Sequence, residues 1–308
     1  MLKKMGWKPD IIHCNDWHAA LACTFLKTLY KDEKFYQGTK CVLTIHNMAY
    51  QGDFPKSTFA KTGLPPALES EITHDGKINF LKAGLLYADA ITAVSQRYAE
   101  EIRTTEEYGC GLQAILEKRK RHLYGITNGV DYNVWNPAVD DFIHQKYDLK
   151  NLEFKVDNKQ ELCARMHLPF NEKTPLIGMI SRLADQKGFD LLGEIIHDVM
   201  KLDVQFVLLG VGEKKIQTFF EKVAKKYPKK FAAAFRFDTP FAHLIEAGSD
   251  MFLMPSRYEP CGLNQMYSMK YGTVPIVRAT GGLDETVEEI DDATATGTGF
   301  KFKKYDSK

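Results

Sequence analysis

Short apolar runs of strand length alternate with longer stretches of helical period along almost the whole chain, and this alternation limits the fold more than any other feature. Strands buried on both faces of a parallel sheet read as continuous apolar runs, and the crossovers that join them are usually helices. In the first half the predicted strands are Ile11–Cys14, Val42–Ile45, Ala90–Val94 and Leu123–Thr127, with helices beginning near Trp17, Ile78 and Ser95. In the second half the predicted strands are Leu176–Ile180, Gln205–Leu209, Ala233–Phe237, Met251–Met254 and Val274–Val277, with helices over 187–200, 213–227, 240–247, 262–271 and 283–290. The expected class is α/β with parallel sheets.

A chain of 308 residues is long enough for two domains. The polar stretch Asn128–Asp157 carries Asn128-Gly129 and Asn136-Pro137 without a sustained period, so the junction is expected there, between domains over 1–135 and 136–308. Residues 50–76, rich in Pro and Gly, read as a long irregular loop of the kind more often functional than decorative.

Lys and Arg together number 41 against 40 Asp and Glu, a formal charge of +1 that gives no charge-driven case for nucleic acid or a membrane surface. No apolar run approaches the length of a membrane span, and the first residues lack a signal-peptide core. The six cysteines form no Cys-x-x-Cys pair and read as reduced thiols, with neither a disulfide framework nor a zinc cluster expected. The expected location is cytoplasmic.

Generic nucleotide signatures fail. Gly210-Val211-Gly212 follows a strand, but Lys215 fills the place of the third glycine that a dinucleotide fingerprint needs, and no P-loop string occurs. Other candidates sit where open α/β sheets bind ligands, at the carboxyl ends of strands. Arg182 is followed by Lys187 and Gly188 at a helix start, a set that suits a diphosphate and equally suits a solvated helix cap. Thr280-Gly281-Gly282-Leu283 is either a second anion cradle or a plain turn. Glu259, in the turn Glu259-Pro260-Cys261-Gly262-Leu263, could accept hydroxyl hydrogen bonds or balance a developing cation, or serve helix electrostatics alone. Cys261 reads as an activated thiol or a packed small residue. His13 lies near the end of the first predicted strand, Asp16 and His18 follow that strand and His46 follows the second; all four fit hydrogen-bonding roles better than a metal site, which calls for a fuller ligand set.

Taken in order, Asp16-Trp17-His18, His46-Asn47-Met48-Ala49-Tyr50-Gln51-Gly52, Asn128-Gly129-Val130-Asp131, Ser181-Arg182-Leu183-Ala184-Asp185-Gln186-Lys187-Gly188, Glu259-Pro260-Cys261-Gly262-Leu263 and Thr280-Gly281-Gly282-Leu283 closely resemble the bacterial glycogen synthases and plant starch synthases from end to end. The resemblance implies a GT-B architecture: two Rossmann-like domains facing across a cleft, the first on the acceptor side and the second binding the nucleotide sugar. It implies transfer of glucose from ADP-glucose to the non-reducing end of an α-1,4-glucan with retention, with no cofactor and no metal required. Arg182 and Lys187 would then neutralise the diphosphate, Glu259 would hold the donor glucose, and the amides of Thr280, Gly281 and Gly282 would meet the phosphates. Leu283, Cys261, Gly262 and Asn128 join that donor-binding set, while Asp16 and His46 approach the sugar from the other domain.

Family members begin with a further strand and a Lys-x-Gly-Gly-Leu loop and end with further helices, so the resemblance leads one to expect a chain shortened at both ends. Asn15, Met48 and Glu285 stand where the family often has His, Leu and Asp. Two other functions stay open on the sequence: a GT-B transferase with a different donor or acceptor, and a catalytically silent nucleotide- or glucan-binding fragment.

Overall fold

The computed structural model describes residues 2–307, which form two compact units, the first ending at Thr127 and the second beginning at Asn128. The boundary therefore lies eight residues before the expected 135/136. The physical reason is Trp135, whose indole stacks 3.7 Å from His243 and 3.9 Å from Tyr267, anchoring the preceding segment to the second unit.

In the first unit β1 (Ile11–Asn15) pairs in parallel with β2 (Lys40–Ile45). The 50–76 segment is not structureless: β3 (Asp53–Phe54), β4 (Thr73–His74) and β5 (Lys77–Asn79) make a small antiparallel sheet. Phe59, Leu64, Ile72 and Ile78 give it a core, packed against Leu21 and Phe25 of the helix Asp16–Lys27. The parallel sheet continues with β6 (Ala90–Ala93) and β7 (Leu123–Gly125) in the order β1-β2-β6-β7. Cys23 and Cys41 are joined as a disulfide with Cα atoms 5.6 Å apart, and Cys14 Sγ lies 3.8 Å from Cys41 Sγ. This corrects the expectation of six thiols; the three cysteines are far apart in sequence and meet only because β1 and β2 are neighbours under one helix.

The second unit is a six-stranded, wholly parallel sheet of β8 (Leu176–Ile180), β9 (Gln205–Leu209), β10 (Phe231–Ala234), β11 (Met251–Met254), β12 (Val274–Arg278) and β13 (Phe300–Phe302), in the order β10-β9-β8-β11-β12-β13. Both faces are covered. Phe206 and Leu208 of β9 enter one core with Phe189, Ile196 and Phe220, while Val207 and Leu209 enter the other with Leu162, Phe241 and Leu244. Three predicted strands, β8, β9 and β11, match their expected bounds residue for residue. β10 lies earlier than the predicted Ala233–Phe237 because Asp238 caps the next helix, accepting from Phe241 N at 3.0 Å, and Arg236 turns to pair with it at 2.8 Å. The last predicted helix, 283–290, is instead Gly281–Thr286, and the chain beyond it returns as a bridge between Glu289 and Gly299. The helix Lys155–Arg165 was not predicted. No helix among the described residues is long and apolar enough to cross a membrane.

Candidate active site

The chain moves outward from β8 through β9 to β10, then returns to the other side of β8 for β11, β12 and β13. The strand order therefore reverses between β8 and β11, and a crevice opens at the carboxyl ends of the strands where such a reversal occurs. A cavity of about 390 Å³ lies there, lined by Arg182 and Lys187 after β8, by Arg236 and Phe237 after β10, and by Ser256, Glu259 and Gly262 after β11.

Lys187 ends a single turn of 3-10 helix, Asp185–Lys187, that Gly188 closes with φ +75°. A Cβ on Gly188 would collide with the carbonyl oxygen of Pro255, so the turn presses directly on the loop that carries Glu259. Gln186 fastens the two loops: its carbonyl accepts from Arg257 N at 2.9 Å and its side chain donates to Tyr258 O at 3.2 Å. Arg182 reaches the Gln186 side-chain oxygen at 3.4 Å. The result is an ion pair, Lys187 Nζ to Glu259 Oε2 at 2.7 Å, between side chains that are 19% and 7% exposed. The loops seventy residues apart in sequence thus place a cation and a carboxylate side by side in one cavity.

Thr280, Gly281, Gly282 and Leu283 are buried and do not line that cavity. They back the Glu259 turn. The Gly282 amide donates to the carbonyls of Glu259 at 3.1 Å and Pro260 at 3.2 Å, and Gly281, with φ +47°, sits where a Cβ would strike the Glu259 carbonyl. The Gly282 amide is thus committed to the loop rather than offered to a phosphate. Cys261 is buried and its thiol is pushed up, chiefly by burial, with the backbone of Asn128 opposing the shift. It is a packed small residue, not an activated nucleophile.

The first unit has its own cluster at the ends of β1 and β2. Asp16 opens the helix Asp16–Lys27 with φ +53°, a conformation rare for a residue with a side chain. Its carboxylate accepts from the His46 backbone N–H at 2.8 Å, while His46 Nε2 and Asn15 Oδ1 are 2.9 Å apart. His46 is exposed. His13, by contrast, pairs with Thr44 Oγ1 at 2.6 Å along the sheet, and His18 stacks on Trp17.

Two aromatic groups escaped the sequence reading. Phe237 is 87% exposed and lines the cavity, leaving a ring face open to it. Tyr267 reaches the same cavity with its ring stacked on Trp135. An aromatic residue just past a strand, followed by a helix-capping Asp, was the available signal for Phe237.

The family model described as the starch synthase catalytic domain matches residues 1–118, and the one described as glycosyl transferases group 1 matches residues 164–308. A glycogen synthase from Thermosipho africanus is 50% identical over 99% of this chain and 63% of its own length. One from Thermotoga maritima is 48% identical over the whole chain and likewise 63% of its own length. This chain spans about 63% of the length of the curated relatives it matches. Among solved structures, the catalytic domain of starch synthase IV from Arabidopsis thaliana, bound to ADP and acarbose, superposes with a TM-score of 0.90 at 36% identity, covering 99% of this chain and 64% of that one. Sucrose-phosphate synthase from Thermosynechococcus elongatus superposes with a TM-score of 0.59 at 17% identity, over 99% of this chain and 63% of that one, a likeness of fold alone. With its two parallel-sheet units of GT-B type and its ordered motifs, the chain belongs to the family of bacterial glycogen synthases and plant starch synthases.

Proposed function

We propose that this chain transfers glucose from ADP-glucose to the non-reducing end of an α-1,4-glucan with retention, without a metal ion. The observation that carries the reading is the Lys187–Glu259 pair beside Arg182 in one cavity at the reversal of the strand order. When the bond between the anomeric carbon and the diphosphate oxygen breaks, negative charge gathers on the leaving phosphate. Cations already held at that place stabilise the transition state more than the ground state, the condition for raising turnover. Arg182 offers a planar fork and Lys187 a point charge, which together supply the neutralisation that a divalent ion would otherwise provide.

Glu259 is assigned to the glucosyl hydroxyls and to the positive charge that grows on the sugar. A glycosidase would need a second carboxyl group, free to act as acid or base. Asp238 also lines the cavity, but one oxygen caps a helix and the other is held by Arg236, which keeps its carboxyl below the usual range. A diphosphate leaves without protonation by such an acid. Phe237 offers a face for the adenine ring, and Asp16 and His46 are assigned to sugar hydroxyls in the first unit. Thr280–Leu283, Cys261, Gly262 and Asn128 serve donor binding by shaping the loop behind Glu259. The ADP and acarbose bound to the Arabidopsis relative support a nucleotide and a glucan-like ligand.

The test is calorimetric titration of the 308-residue chain with ADP and with UDP in EDTA. Binding of ADP in preference to UDP, undiminished by the chelator, is expected. A requirement for added divalent ion, or equal binding of the two nucleotides, overturns the metal-free ADP-sugar reading.

A further inference from the structure

We propose that Ser256 is a positioning residue that aims the Glu259 carboxylate at the donor sugar. The inference rests on the assignment of Glu259 to the glucosyl group and extends it to a residue that acts through Glu259.

Glu259 is held at two levels. Its backbone is fixed by the Gly282 amide, which donates to the Glu259 carbonyl at 3.1 Å. Its side chain is fixed through one oxygen only: Oε2 accepts from Lys187 Nζ at 2.7 Å and from Ser256 Oγ at 2.9 Å. Oε1 accepts no hydrogen bond from the described residues, and Glu259 lines the cavity. Two donors converging on Oε2 from different loops set the plane of the carboxylate and leave Oε1 as the acceptor for a ligand hydroxyl. A single donor would leave the group free to turn about its last torsion, which is broad for an sp³–sp² bond.

Ser256 is suited to this role and to little else. It is 2% exposed, so its hydroxyl needs a partner, and the partner it has is the carboxylate. Lys187 cannot do the same work alone, because its ammonium would be shared with the diphosphate once the donor binds. At that point Ser256 becomes the donor that keeps Oε2 in place while Lys187 is drawn toward phosphate. The hydroxyl therefore separates two duties, charge neutralisation by Lys187 and sugar positioning by Glu259, that would otherwise compete for one contact.

The distinguishing quantity is the ratio of ADP-glucose affinity to ADP affinity, because only the former involves the sugar. Calorimetry on the whole chain, with Ser256→Ala, Ser256→Thr and Glu259→Ala beside the parent, measures it. Ser256→Ala is expected to bind ADP as the parent does and to lower the ratio by about tenfold, the size of a lost hydrogen bond to a charged group. Ser256→Thr, which keeps the hydroxyl, is expected to restore most of it. A purely structural role would move ADP and ADP-glucose affinity together and would show in the melting temperature. If Glu259→Ala lowers the ratio while Ser256→Ala leaves it unchanged, the positioning role is wrong and the Glu259 assignment stands. If Glu259→Ala also leaves it unchanged, the sugar does not meet Glu259 and both assignments fall.

Discussion

At the scale of single residues, the chemistry concentrates in a few side chains whose partners are already in place. Lys187 and Glu259 meet at 2.7 Å with side chains 19% and 7% exposed, so on the proposed function both charges are held in the cavity before a donor arrives. Replacing Lys187 or Glu259 by Ala in this protein is expected to reduce glucosyl turnover by about 100-fold or more, the usual loss for a preset transition-state contact, while glucan KM changes little. Initial rates over a range of maltooligosaccharide concentrations measure the split; a large rise in KM at unchanged kcat would reassign both residues to acceptor binding. Lys187, Glu259, Asp16 and His46 could be singled out as candidates in the sequence because each stands after a strand or in a turn. Phe237 and Ser256 were not, since an exposed phenylalanine and a buried serine acquire meaning only from what surrounds them.

At the scale of elements, the site is the contact of two loops, Asp185–Gly188 and Pro255–Glu259. Gly188 has φ +75° and abuts the Pro255 carbonyl, so any side chain there both strains the backbone and separates the loops. Gly188→Ala is expected to destabilise the protein by about 2 kcal/mol or more and to weaken ADP binding beyond that, because Lys187 moves with the turn. Urea unfolding and ADP titration on the same variant test it; an unchanged midpoint would show that the loops part without cost. Strands β8, β9 and β11 were readable because each is written almost wholly in apolar residues, with β8 and β9 buried on both faces. The helix Lys155–Arg165 was hidden for the opposite reason: part of its buried face is polar. Asn158 there bonds the backbone of Gln145 at both N and O, and Lys159, 4% exposed, pairs with Asp250 at 2.7 Å. A period written in Asn and Lys carries no hydrophobic signal.

At the scale of the whole molecule, the second unit stores titratable groups in its core, and its stability should follow them. Glu246 is fully buried; Ser268 donates to its Oε2 at 2.7 Å, and Oε1 has no hydrogen-bond partner among the described residues. Burial raises it to about 8, against the opposing effects of Ser268 and Lys155. The unfolded chain releases this proton near its ordinary value of 4.5 and the folded chain holds it to about 8, so stability is full below the first value and falls as pH rises through the window. Burial lowers Lys155 to about 7, which acts in the other direction above that pH, where the unfolded chain still holds the proton. A minimum near neutral pH is therefore expected, with a slope of at most about 1.4 kcal/mol per pH unit on its acid side from this one group. Glu246→Gln should flatten the acid side when urea midpoints are followed from pH 5 to 8. An unchanged slope in that variant would show that Glu246 is ionised throughout.

What the sequence by itself determined is the class of each half and which polar residues stand at the strand ends. Periodicity is a local property, and the turn residues that mark the carboxyl ends of parallel strands lie beside the strands they close. Only the tertiary structure decided which of those ends share a site. Lys187 meets Glu259, and Arg182 shares their cavity, because β8 and β11 are neighbours at the reversal of the strand order, while Thr280–Leu283, the other candidate anion cradle, turns its Gly282 amide to the Glu259 loop instead. Strand pairing likewise brought Cys14, Cys23 and Cys41 together, and the stacking of Trp135 on His243 and Tyr267 assigned residues 128–135 to the second unit. Strand order and packing are non-local, set by the burial of both sheet faces at once, and no window of sequence contains them.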